Sequence, residues 1–90
     1  DLSKIKSCLK LTGFVNSTED FTEQPKVING ASDLIKNVFG ENGTHTRAAV
    51  STNSLPLGVA VEVDAIFEIN WLSAYTKINN FIFFHFFWRI

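Results

Sequence analysis

The sequence has no methionine, one cysteine and two prolines, and its nine acidic and eight basic side chains almost cancel, leaving a net charge of −1. Each scarcity excludes something. With Cys8 alone, no intramolecular disulfide and no cysteine-rich metal site can form, and an intracellular, reducing compartment is the simplest setting. With no cationic excess, there is no broad positive field to gather phosphates, so nucleic acid is not an expected partner. The opening stretch DLSKIKSCLK lacks the apolar run of about seven residues and the cleavage pattern of a signal peptide. The apolar run from Phe81 to Trp88 is interrupted by His85 and falls well short of the ~20 residues of a membrane span. It also lacks the basic polar face of a typical interfacial helix. Asn16-Ser17-Thr18 and Asn42-Gly43-Thr44 match the glycosylation acceptor pattern, which carries meaning only in secreted chains.

What is present fits one small domain. Ninety residues bury only ~60% or slightly more of the unfolded chain's surface. From Lys4 to Val15 the residues alternate, predicting a strand with Ile5, Leu9, Leu11 and Val15 inside and Cys8 outside among lysines. NSTED follows as turn chemistry. The spacing of Val27, Ala31, Leu34, Ile35 and Val38 predicts an amphipathic helix, with Thr22 as N-cap, Pro25 in its first turn and Gly40 as its stop. Gly30 lies mid-helix, where glycine costs up to ~1 kcal/mol against alanine and suggests a close approach or ordinary packing.

Alternation resumes from Thr46 to Thr52, with Arg47, Ala49 and Ser51 on one side, and again from Val59 to Ile69 after the Leu55-Pro56-Leu57-Gly58 corner. In the last strand Val59, Val61, Val63, Ala65 and Phe67 form an apolar face, opposite Glu62, Asp64 and Glu68. Three strands and one helix predict a two-layer α+β unit over residues 1–69, the helix covering the apolar face of the sheet. Residues 70–90 follow no steady period and read as an aromatic-rich tail of separate origin, an aggregation liability if exposed.

Few residues suggest chemistry. His45 sits in a loop and His85 in the tail, neither with a partner at ligand spacing, so no metal site is expected. There is no Gly-x-Ser-x-Gly elbow and no phosphate-binding glycine loop. Lysines beside an outward Cys8 would lower its thiol pKa, but no second functional group accompanies it, and an inert half-exposed thiol is the simpler reading. Arg47 and Glu62 remain. A short corner between their strands suggests antiparallel neighbours with both side chains on the face away from the helix. They read either as parts of one site or as an exposed cross-strand ion pair, which contributes only about 0 to 1 kcal/mol.

The stretches LTGFVNSTEDFTEQPKVINGASDLIKNVFG and TRAAVSTNSLPLGVAVEVDAIFEI resemble the YjgF/RidA family, also labelled endoribonuclease L-PSP-like, whose fold is shared with the small trimeric chorismate mutase. The second stretch carries the more specific motif: Arg, short strand, Leu-Pro-x-Gly, then Val-Glu-Val-Asp-Ala-Ile. The resemblance implies a partial chorismate-mutase-like fold, beginning after the strand pair and first helix with which family members start. It implies a homotrimer with sites between subunits, cytoplasmic placement with an organellar address left open, and cofactor-free hydrolysis of reactive enamines or imines to 2-keto acids and ammonia, an activity that loss of the first elements would endanger. In that picture Arg47 holds the carboxylate of a small imine or related metabolite, and Glu62 is the catalytic residue that positions or activates water. The family's site asparagine falls near Asn29 and Ser32. Ala49 stands where many deaminase members have cysteine, so no thiol role carries over. The alternative is a non-catalytic trimeric module that binds small carboxylates through Arg47. The older ribonuclease label fits poorly with a net charge of −1.

Overall fold

The computed structural model describes residues 4–69 and 81–88. Strand β1 (Ile5–Asn16) leads into helix α1 (Gln24–Phe39), followed by β2 (Thr46–Thr52), β3 (Val61–Ile69) and β4 (Phe81–Trp88). They form one mixed sheet in the order β2-β1-β3-β4, covered by α1 on one face. β1 and β2 are parallel, as expected when a helix carries the chain back across the sheet, while β3 runs antiparallel to both β1 and β4. Among the described residues no helix is long and apolar enough to cross a membrane.

Two features of this order depart from expectation. β2 and β3 are not neighbours, because β1 lies between them; the Leu-Pro corner carries the chain across a strand rather than closing a hairpin. The aromatic segment also joins the sheet at 81–88, with Asp64 paired to His85 and Glu62 to Phe87. Residues 70–80 and 89–90 of the expected tail lie outside the described residues.

The core comprises Cys8, Leu11, Val15, Ile28, Val63, Ala65 and Phe67, with Ala31, Ile35, Phe39 and Ala49 packed against it. β3 has the predicted phase. β1 does not hold one phase along its length: its pairing with β3 shifts register between Cys8 and Lys10. An extra residue in a ladder turns the side chains before it to the other face. Leu9, expected inside, is therefore 38% exposed, and Cys8, expected outside, is 2% exposed. Burial pushes the Cys8 thiol pKa up, the reverse of activation by neighbouring lysines.

The helix is also rotated from its predicted phase. Ile28 and Ser32 are buried and Ala31, Ile35 and Phe39 touch the core, whereas Val27, Leu34 and Val38 are exposed. Gly13 explains the rotation. A Cβ there would collide with the side chain of Ile28, so glycine alone lets the helix settle onto the central strand. Phe39 completes the contact against Phe67, ring centroids 5.8 Å apart. Gly30, the glycine suspected of a close approach, has open space around its Cβ position; Gly43 is the second crowded one, against the backbone of Ile35.

Helix ends follow local chemistry. Pro25 occupies the first turn, Gly40 adopts φ 61° at the C-terminus, and its N–H donates to the Lys36 carbonyl. The N-cap is Glu23 rather than Thr22, and its side chain pairs with Lys26 at 2.9 Å instead of capping.

Gly13→Ala should destabilise the fold by about 1–3 kcal/mol through overpacking, read as a lower urea midpoint with unchanged slope. Because Cys8 is buried with a raised pKa, its thiol should react with a disulfide reagent at neutral pH at least about tenfold more slowly in the native chain than in urea. Equal rates would place Cys8 at the surface.

Candidate functional site

Arg47 is the second residue of β2, at the level of Leu11 on β1, and shares its face, so it points toward α1. Its Nη1 donates to Asn29 Oδ1 at 2.7 Å and to Ser32 Oγ at 3.2 Å, both on the helix flank beside β2. Ser32, 8% exposed, is the buried polar residue of the core, and its Oγ lies 3.0 Å from His45 Nε2. His45 Nδ1 is 2.6 Å from the Gly43 carbonyl. A carbonyl only accepts, so Nδ1 carries the proton of the neutral ring and Nε2 accepts from Ser32. The chain of donors then runs from Arg47 to Ser32, to His45, to Gly43. This fixes one guanidinium nitrogen and leaves Nη2 and Nε, the edge that grips a carboxylate with two hydrogen bonds, without a contact among the described residues.

His45 is thus not a loop histidine without a role. The sequence held a weak signal for it: Gly43 ends the helical turn that follows α1 and His45 comes just after, where an imidazole can reach back to a serine of the helix.

Glu62 lies elsewhere. It pairs with Phe14, on the sheet face opposite α1, while Arg47 faces the helix, and β1 separates their strands. Within one chain the two residues share no face and their strands are not neighbours, so the cross-strand ion pair does not form. The cause is the strand order, which a short connection between β2 and β3 disguises.

The Glu62 carboxylate meets a different partner. Its Oε2 is 2.8 Å from His85 Nε2, and Asp64 Oδ1 is 3.0 Å from the same nitrogen. His85 therefore does have neighbours at ligand spacing, contrary to the reading from sequence. They are distant in the chain and come together only because β4 pairs with β3. A surface hollow of about 680 Å³ lies at the far ends of β1 and β2, lined by Ser17, Thr18, Glu19, Asp20, Ser51, Thr52 and Asn53. Its lining has two carboxylates and no cation, so it is unsuited to an anionic ligand; a hydrogen bond from Thr18 lowers the Asp20 pKa. Proximity to Arg47, rather than the hollow, marks the candidate carboxylate site.

Residues 1–69 match the family model described as "YjgF/chorismate_mutase-like, putative endoribonuclease". The chain belongs to the YjgF/chorismate-mutase-like family. Among its relatives is protein TCP17 of Trypanosoma cruzi, 58% identical over 71 residues, which cover 78% of this chain and 44% of that protein. The crystal structure of the protein Atu1372, of unknown function, from Agrobacterium tumefaciens is 59% identical with a TM-score of 0.75, over 77% of this chain and 43% of that one. A "putative endoribonuclease" from Shewanella oneidensis is 38% identical with a TM-score of 0.66, over 70% and 42%. This YjgF-like chain thus spans less than half the length of these relatives. The mixed sheet and covering helix of residues 5–69 are a partial version of the family fold.

Ser32→Ala removes the Arg47 acceptor and orphans His45 Nε2, so it should lower unfolding free energy by about 1–3 kcal/mol. Asn29→Ala, whose bond to Arg47 is exposed, should lower it by less than about 1 kcal/mol, the order of the two midpoints in urea being the check.

Proposed function

We propose that this chain carries the site residues of a cofactor-free hydrolase of small carboxylate-bearing imines and enamines. The observation that carries the reading is Arg47, exposed at the start of β2, with one nitrogen fixed by Asn29 and Ser32 and its carboxylate-gripping edge turned free. A guanidinium held in this way loses little freedom on binding a carboxylate. The imine carbon is already electrophilic. Water adds to it while Glu62 accepts the water proton and passes it to the nitrogen; Glu62 then takes the hydroxyl proton of the carbinolamine and delivers it to the amine as the C–N bond breaks, releasing ammonia and leaving the 2-keto acid. An enamine enters the same path after tautomerising to its imine.

Arg47 and Glu62 lie on opposite faces of the sheet, so one copy cannot supply both to one substrate. The hydrolytic reading therefore requires a homo-oligomer, a trimer by family resemblance, in which Arg47 of one copy meets Glu62 of another. The ribonuclease reading has no such support, since a net charge of −1 offers the phosphate backbone no general attraction.

With 2-aminoacrylate generated in the assay, wild-type chain should accelerate ammonia and keto-acid release. Arg47→Ala should reduce the acceleration about 10- to 100-fold by loss of charge-assisted hydrogen bonds, and Glu62→Gln about 10²- to 10⁴-fold by loss of the base. Unfolding the two variants together and refolding them as mixed oligomers should restore activity at roughly a quarter of the sites, one half times one half, because the two defects come from different copies. Equal release by wild type and Arg47→Ala sinks the hydrolase reading; carboxylate binding without turnover would leave the non-catalytic module.

A further inference from the structure

We infer that Glu62, Asp64 and His85 form a binding site for a divalent transition-metal ion, Zn²⁺ or Mn²⁺, on the sheet face opposite α1. The inference does not rest on imine hydrolysis. Glu62 and Asp64 are two residues apart on β3 and so project from the same face, and His85 lies directly opposite Asp64 on β4. One potential ligand atom from each residue falls within 4.8 Å of the others.

The spacing is that of ligands around an ion. Donors at ~2.1 Å from a metal and at right angles about it are ~3.0 Å apart. The His85 nitrogen is 2.8 Å from Glu62 Oε2 and 3.0 Å from Asp64 Oδ1. One imidazole N–H cannot point straight at two oxygens, whereas one ion can accept all three lone pairs. A second observation points the same way. Glu62 Oε1 is buried with no hydrogen-bond partner among the described residues, and the Glu62 side chain is only 12% exposed. A buried carboxylate oxygen without a donor calls for a cation. Across β1 the direct partners of Asp64 and Glu62 are Thr12 and Phe14, neither of which brings a positive charge.

The donor set narrows the choice of ion. Two carboxylates and an imidazole suit Zn²⁺ or Mn²⁺; Mg²⁺ and Ca²⁺ prefer oxygen alone, and there is no thiolate to select a soft ion. Three protein ligands leave coordination positions open to water or to an exogenous group. The ion would also join β4 to β3 through side chains, beyond their backbone ladder.

The test uses the full chain, freed of metal by a chelator and titrated calorimetrically with ZnCl₂, MnCl₂, MgCl₂ and CaCl₂. One equivalent of Zn²⁺ or Mn²⁺ should bind, with Mg²⁺ and Ca²⁺ at least tenfold weaker. Asp64→Asn and His85→Ala, neither of which removes Glu62, should each weaken binding at least tenfold while retaining the wild-type far-ultraviolet circular dichroism. His45→Gln should bind like wild type. Should either ligand variant fail to fold, Co²⁺ added to wild type decides: visible absorption bands of a nitrogen- and oxygen-ligated ion, displaced by Zn²⁺, support the site. Absence of saturable binding or of those bands in folded wild type overturns it, as does equal affinity in folded ligand variants. Failure here leaves the keto-acid assay unaffected, whereas a bound ion would occupy the Glu62 carboxylate that cofactor-free hydrolysis uses as its base.

Discussion

Ile28 of α1 is seated over Gly13 of β1, where a Cβ would collide with it, and the placement of nearly everything on the helix side of the sheet follows from this contact. With Ile28 fixed, Asn29 and Ser32 fall on the helix flank that faces β2, one and four positions along. At that height Arg47 can reach them both. A helix displaced by one residue of rise, about 1.5 Å, and turned by the accompanying ~100° would offer Arg47 a different pair of side chains. The same contact puts Ala49, a small residue beside Gly13 in the parallel register, under the helix in place of Val50. Missing side-chain volume on the strands is thus what orients a guanidinium.

How much of this was legible in the sequence depended on whether a residue's environment was local. β3 was fully legible, since each alternate residue from Val59 to Phe67 is apolar and the strand keeps one phase. Residues near the register shift were misread: periodicity assumes an unbroken ladder, so Cys8 and Leu9 exchanged faces. In the helix, Val27, Leu34 and Val38 made a plausible inner stripe as good as the real one. Only the cavity over Gly13 decided for Ile28 and Ser32, and that cavity belongs to another element. β4 was hidden because a strand with apolar residues at both phases shows no period of two.

The candidate site was legible in its residues and not in its geometry. Arg47 and Glu62 stand out in the sequence, and Asn29 and Ser32 fall near the family's site asparagine, yet the relation between Arg47 and Glu62 depends on strand order. β1 lies between their strands although it precedes both in the chain, which no local pattern reveals. The consequence is a division of the polar groups between the two faces. The helix side carries a guanidinium held by two neutral acceptors, and the other side carries two carboxylates around an imidazole. Positive and negative functional groups are kept apart by the thickness of a sheet, so neither cancels the other within one copy.

The order β2-β1-β3-β4 also has a kinetic meaning. β1 precedes both its partners, and its register joins Ile5 to Ile69, so neither of these two ladders can form until β2 and then β3 have left the ribosome. Such long-range pairing makes folding slow relative to a local hairpin, because loop closure must precede its reward. During that interval α1, the described element that follows β1 directly, can shield it through the glycine seat that the finished fold retains. A chaperone-dependent yield at high expression would be the cellular trace of this arrangement.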